Sequence, residues 1–308
     1  MSGDKSSIIT LFITAFLAIL AFHSPVPDTI NSFLYGMLKA LVPILFIILM
    51  AIYSYNVLLQ TKKIEVLKQQ FSSISTDKSV QVLLITWGFG GLLEGMAGFG
   101  TAVAIPAAIL MSLGYRPVFS ALVSLIANSV PTAFGAVGVP VIVLAQETGL
   151  PVIPLSTAVV LQLSVLMFLV PLVITFLADP RMKALPKNLV LSVLVGGVSL
   201  VAQYLAARYV GAETPAIVGA IASIIVIVVL GKLTGRGEEK SVPMTYSGGE
   251  VFRAWTVYVL IMVLILFTSP LFPAVREMLA GVCNSSVSFT INGDTFHLME
   301  VQIKIFTS

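Results

Sequence analysis

VQVLLITWGFGGLLEGMAGFGTAVAIPAAILMSL, residues 80–113, is an apolar run with no Lys, Arg, Asp or His and a single glutamate, Glu94, near its centre. Six glycines crowd between Gly88 and Thr101. A stretch this apolar reads as membrane-embedded, because the hydrocarbon core of a bilayer takes about 20 helical residues to cross. It is too long for one crossing, and its centre is a poor helix, each glycine costing about 1 kcal/mol relative to alanine. The run therefore predicts a re-entrant hairpin over 80–113. Two arms of about 15 residues, each about 22 Å long at 1.5 Å per residue, would meet at a glycine-rich tip over 88–100.

The rest of the chain agrees with a lipid environment. Of its 308 residues 57% are hydrophobic and only 10% charged, against about a quarter charged in soluble domains. The mean hydropathy is +1.03. Further apolar runs fall at 8–22, 34–59, 118–146, 152–178, 189–210, 215–231 and 254–273. Backbone in lipid must satisfy its own hydrogen bonds, so these runs predict helices. Alternating strands of the kind that build a membrane barrel are not evident. The run at 8–22 follows Lys5 but precedes no small-residue cleavage site, and reads as a first membrane helix rather than a signal peptide. A net charge of +3 offers no basic patch for nucleic acid. With one cysteine, Cys283, and two histidines, His23 and His297, no metal or His-based catalytic centre is expected.

Positive charge sorts the loops. Lys62, Lys63, Lys68 and Lys78 lie in 60–79; Arg181, Lys183 and Lys187 in 179–188; Lys232, Arg236, Lys240 and Arg253 in 232–253. Loops 23–33, 147–151 and 211–214 carry no Lys or Arg. The positive-inside rule places the first group, with the N-terminus, in the cytoplasm. Between 79 and 179 the chain must then cross an even number of times, and three apolar runs lie there. The hairpin at 80–113 resolves the parity. The prediction is an all-α polytopic membrane protein of about seven transmembrane helices plus one re-entrant hairpin. An odd number of crossings suits the first half of an inverted-repeat transporter. Residues 1–280 form the transport domain. Residues 281–308, with Asn292–Gly293 at a type I′ turn, read as an external β-hairpin-like tail. The chain stops at Ser308 with no closing helix, which reads as truncation.

Two segments carry chemistry. In Gly88–Thr101, loss of helical regularity would free backbone N–H groups to receive a carboxylate without a fixed cation. Glu94 is the only acidic residue inside a membrane run, and a carboxylate there is costly unless protonated or paired. It reads as a proton-coupling group, or alternatively as a neutral side chain bracing the hairpin tip. Gly91-x-x-x-Gly95 also fits plain helix packing, though the glycine density favours opened backbone. The second segment is ANSVPTAFGAVGVP, residues 127–140. Pro131 and Pro140 each remove a helix hydrogen bond. Asn128, Ser129 and Thr132 supply neutral groups at the break, able to hold a carboxylate and a 2-hydroxyl together, or to satisfy a kinked helix's own backbone.

LLEGMAGFGTAVAIPAAILMSLGYRP at 92–117 and LIANSVPTAFGAVGVPVIVLAQETGL at 125–150 together resemble the L-lactate permease family. Weaker similarity extends over about 30–275. The motif positions here are Glu94, Gly95, Gly98, Phe99, Gly100, Asn128, Pro131, Phe134, Gly135 and Gly138. The resemblance implies proton-linked uptake of L-lactate, and often glycolate, across the bacterial inner membrane by two inverted halves, the second half absent here. The expected substrate-binding set is Gly95, Gly98, Phe99, Gly100, Thr101, Asn128, Ser129, Thr132, Phe134 and Gly135, with Glu94 taking the proton. The expected partners are a 2-hydroxy acid anion, protons and membrane lipid; no cofactor, nucleic acid or enzymatic activity is expected. The alternatives are a permease for another organic anion and a non-transporting fragment.

Overall fold

The computed structural model describes residues 3–45, 49–50, 53, 56–57, 60–98, 100–234, 245–268, 272–282, 284–289 and 299–304. It divides into two compact units, Met1–Ile47 with Leu279–Thr307, and Ile48–Met278.

The first unit opens with α1, Gly3–Leu20, whose Phe12 and Phe16 are exposed. After a turn at His23, α2 (Val26–Lys39) begins with proline in its first turn, where the missing N–H has no intrahelical partner to lose. It continues into a π-helical stretch, Ala40–Leu45. The same unit holds a two-stranded antiparallel ribbon, β1 (Asn284–Phe289) with β2 (Met299–Lys304), Val287 opposite Val301. The turn expected at Asn292–Gly293, like Cys283 and His297, lies outside the described residues.

The second unit is helical among its described residues: α3 (Lys63–Ile74), α4 (Lys78–Met96), α5 (Thr101–Ser112), α6 (Pro117–Asn128), α7 (Gly135–Thr148), α8 (Val152–Gln162), α9 (Ser164–Ala178), α10 (Leu185–Tyr209), α11 (Pro215–Thr234) and α12 (Gly248–Thr268). Its central element is α4, of which 94% is buried. Asp77 caps its start, accepting from the amides of Ser79 (3.0 Å) and Val80 (3.1 Å). The stretch Leu84–Phe89 is wound as a π-helix. Gly88, Gly91 and Gly95 recur at helical spacing and so form one face. That face meets α11 in antiparallel order, with Gly88 against Ile224, Gly91 against Ala220, and Gly95 against Ile217 and Ala216. Trp87 donates to the Ser223 hydroxyl at 3.3 Å within this contact. Around this core the exterior is itself apolar, with Val118, Val165, Leu189 and Val229 among the exposed side chains, a surface that suits lipid rather than water.

Here the structure corrects the sequence reading. The backbone does not open over the whole of 88–100. It remains helical through Met96, and the break is confined to residues 97–100. Most of the glycines serve close helix approach, because a tightly packed partner can hold glycine in a helix that its propensity alone would disfavour. The expected break at 128–138 is present. The α6 helix ends at Asn128, a 3-10 turn covers Pro131–Phe134, and the chain bends by 56° before α7. A second bend, of 43°, separates α8 from α9. Among the described residues three helices, α4, Met182–Tyr209 and Pro215–Leu233, are long and apolar enough to cross a membrane. The number rises to five if each bent pair is one span.

The positive loops meet at one end of this unit. Lys187 is salt-bridged to Asp77. Tyr115 donates to Gln81 at 3.0 Å, Gln69 donates to Thr245 at 2.7 Å, and Trp255 to Gln70 at 2.7 Å. The Tyr115–Gln81 bond ties the two feet of the 78–115 segment, so this chain leaves and returns at one place. From those feet the break at 97–100 lies about 22 Å away along either arm. Burial, reinforced by the Asp77 charge, pushes the Tyr115 phenol up to about 12. The Arg181 guanidinium, bonded to both carboxylate oxygens of Asp179 (2.8 and 2.7 Å), holds that carboxyl down at about 2.

Candidate functional site

Three interruptions of regular structure converge at the far end of α4. The first is the turn at 97–100, where Gly98 (φ 58°) takes up a left-handed conformation. The second is the start of α7, where Ala136, Val137 and Gly138 are all left-handed (φ 45°, 63° and 77°) before the right-handed helix resumes. The third is the link between α10 and α11 at 211–214. A methyl group on Gly98 would lie 2.9 Å from the Ala136 amide nitrogen, and one on Gly138 would lie 3.0 Å from the Glu213 nitrogen. Only glycine permits either approach. A β-branched residue such as Val137 strongly disfavours positive φ, at a cost of about 1–3 kcal/mol. The turn persists because its neighbours on both sides confine it.

Glu94 is 3% exposed and sits one turn before the break. Its carboxyl packs directly on Gly135; a methyl there would be 3.1 Å from Cδ and would overlap Oε1. The Asn128 side chain lies within hydrogen-bonding range of the same carboxyl. Asn128 also donates to the Thr132 hydroxyl at 3.0 Å, and that hydroxyl donates to the Asn128 carbonyl. Among the described residues, the buried acceptors Glu94 Oε2 and Asn128 Oδ1 meet no donor. Two bare acceptors beside each other are expensive, about 1–3 kcal/mol per unsatisfied group, and call for a proton. A carboxylic acid at Glu94, or a hydroxyl brought by a ligand, supplies one.

The structure thus brings together Glu94, Gly98, Asn128, Thr132 and Gly135. Phe134 is fully buried beside them. Gly95 is committed to the α11 contact. Gly100 is exposed and left-handed, and Thr101 turns its hydroxyl to the Gly98 carbonyl at 2.8 Å. The tip amides of Thr101 and Val103 likewise bond back to Gly98 and Gly100, both at 3.2 Å, so part of the expected donor set is internally satisfied. Ser129 is exposed and donates to the Ile126 carbonyl at 2.7 Å. Phe99 lies outside the described residues. A cavity of about 300 Å3, lined by Val80, Pro186, Lys187, Val190, Leu191 and Leu230, belongs to the opposite end, beside the Asp77–Lys187 pair.

Two polar residues escaped the sequence reading. Glu213 is 8% exposed, although 211–214 looked like an external loop, so Glu94 is not the only carboxylate in the interior. Gln203, on the face of α10 turned to α11, is buried against Gly219, its amide donating to Ser199 at 2.9 Å. A short link without Lys or Arg signals the side of the membrane, but says nothing of what packs over it.

A family model described as L-lactate permease matches residues 1–307. The chain is 39% identical over 295 residues to the L-lactate permease of Streptococcus iniae, covering 94% of this chain and 61% of that protein. It is 33% identical over 308 residues to the L-lactate permease of Bacillus subtilis, covering 94% and 54%. It is 32% identical over 286 residues to the glycolate permease GlcA of Escherichia coli, covering 86% and 51%. The chain therefore spans little more than half the length of these relatives. No solved structure matches it. The family match covers nearly the whole chain and includes both helix breaks around Glu94: this multi-pass helical membrane protein belongs to the L-lactate permease family.

Proposed function

We propose that this chain supplies the Glu94 half of a secondary transporter that carries L-lactate or a related 2-hydroxy-monocarboxylate together with a proton. One observation supports the reading: one oxygen of the buried Glu94 carboxyl and the side-chain oxygen of Asn128, neither meeting a donor among the described residues, stand where two helices lose their regularity. The substrate class is supported by relatives named for L-lactate and for glycolate. In this reading Glu94 takes the proton. The substrate's carboxylate meets backbone amides near 97–101 and 131–135, and its hydroxyl meets Asn128, Ser129 or Thr132. Seven crossings plus the hairpin, a cytoplasmic N-terminus and the bacterial inner membrane as location belong to the same proposal; the positive loops that meet at one end support a common side for them.

The test is lactate uptake into proteoliposomes under an imposed pH gradient, using the complete gene product. Glu94→Gln should lower pH-driven uptake by roughly tenfold or more, since an intramembrane carboxyl of this kind is functional by default. Unchanged, still pH-driven uptake would remove Glu94 from the coupling role. Competition by glycolate separates the two substrates, glycolate transport being the reading that the Escherichia coli relative's name favours.

A further inference from the structure

The left-handed turn at 136–138, with the extended Gly135 before it, has a glutamate against each end. Gly135 packs on the Glu94 carboxyl, and Gly138 packs on the backbone of Ala212 and Glu213. Three residues of chain, which reach at most about 10 Å, separate these two glycines, so the Glu213 backbone lies on the order of 10 Å from the Glu94 carboxyl. Residues 211–217 are all buried. Next to Glu213 in sequence, Thr214 is 1% exposed, and its hydroxyl meets no partner among the described residues. A few residues back along α10, Arg208 and Tyr209 are exposed. Glu213 thus stands between the enclosed Glu94 and the surface at the end of the unit away from the Asp77–Lys187 pair. Among the described residues, the other charged groups on elements packed around the turn are Lys78, Lys187 and Lys232 at the positive end, Glu250 and Arg253 on α12, and the exposed Glu147 and Arg208.

We propose that Glu213 is a second proton-carrying carboxyl, exchanging protons between Glu94 and the end of the unit opposite the Lys- and Arg-rich loops. This rests on the proton-coupled reading above. In the step itself, the Glu94 O–H bond breaks and its proton enters a chain of waters, spanning the gap of about 10 Å, that ends on the Thr214 hydroxyl. That group gives up a proton of its own to a Glu213 carboxylate oxygen. One O–H bond forms for each that breaks, and an acid and a carboxylate exchange places with no change in net charge.

The test follows the carbonyl-stretch infrared band of protonated Glu94, assigned by its loss in Glu94→Gln, after transfer of the purified complete protein into D2O. Deuteration of that band should slow at least tenfold in Glu213→Gln and also in Thr214→Val, which keeps side-chain volume and adds no buried charge. Glu213→Asp should restore the wild-type rate. A wild-type exchange rate in either Glu213→Gln or Thr214→Val, with the unfolding temperature intact, would overturn the proposal. If Glu213→Gln does not fold, Thr214→Val decides alone. pH-driven lactate uptake should fall in parallel and recover in Glu213→Asp. Isotope exchange needs no substrate, so a protein that carries no lactate refutes the substrate reading while the exchange rates still decide the role of Glu213.

Discussion

Replacing Gly135 with alanine drives a methyl group into the Glu94 carboxyl. Gly135 has φ −65° and ψ 158°, a backbone conformation that any residue adopts, so the substitution carries no backbone penalty of its own. The added carbon would overlap Oε1 and stand 3.1 Å from Cδ and 3.4 Å from Cγ. Ordinary carbon contacts fall at about 3.5–4.0 Å, so the carboxyl must withdraw by on the order of 1 Å. Both groups are buried, and overpacking of this kind costs about 1–3 kcal/mol. Losing the contact with Asn128 adds about 1 kcal/mol, and the smaller backbone entropy of unfolded alanine returns about 0.4–1 kcal/mol. The net expectation is a destabilisation of about 2 kcal/mol. A reacting group misplaced by 1 Å loses about a hundredfold in rate, so pH-driven uptake should fall far more than stability. A double-mutant cycle in detergent isolates the cause. In a Glu94→Ala background the carboxyl is gone, the methyl fits, and the Gly135→Ala penalty should vanish, a coupling of about 2 kcal/mol. Equal penalties in the two backgrounds would refute the claim that Gly135 acts through Glu94.

The α4 glycines should differ sharply. Gly95→Ala meets the Ile217 amide nitrogen at 3.0 Å and should destabilise by about 1–3 kcal/mol, whereas Gly91→Ala meets only Ala220 at 3.5 Å and should be neutral or stabilising by up to about 1 kcal/mol; thermal unfolding in detergent ranks them. Tyr115 keeps its proton in the folded protein up to about 12, above the usual value of 10.0. The unfolded chain releases that proton first, so stability should fall as pH rises from 10 towards 12, and Tyr115→Phe should remove this fall from a pH series of unfolding temperatures. Asp179 titrates in the opposite sense. Its carboxyl is depressed from 3.8 to about 2, so its contribution is full above 3.8 and fades as pH falls through 2. Arg181→Met should remove that contribution, so its stability should fall below the parent's above pH 3.8 and the two should converge as pH falls through 2, read from unfolding temperatures over an acid series.

The class of the protein was legible because lipid demands an excess of apolar residues that no soluble core of this length could hide. The break at 128–138 was legible because Pro131 and Pro140 act locally on their own helix. The burial of Glu94 was legible because it falls in the middle of an apolar run. The glycines of 88–100 could not be sorted from sequence. Gly95 and Gly98 are equally permissive residues, and only the arrival of Ile217 at one and Ala136 at the other assigns the first to helix packing and the second to a left-handed turn.

Sequence alone determined the helical membrane class, the grouping of the positive loops and the chemistry of an enclosed carboxyl, since each follows from composition or from neighbours a few residues away. Tertiary structure alone decided that Gly135 receives that carboxyl, that Glu213 is enclosed in a link that reads as a surface loop, and that three breaks meet at one place. These depend on contacts between segments tens of residues apart, and a chain's local preferences carry no record of which distant surface will close over them.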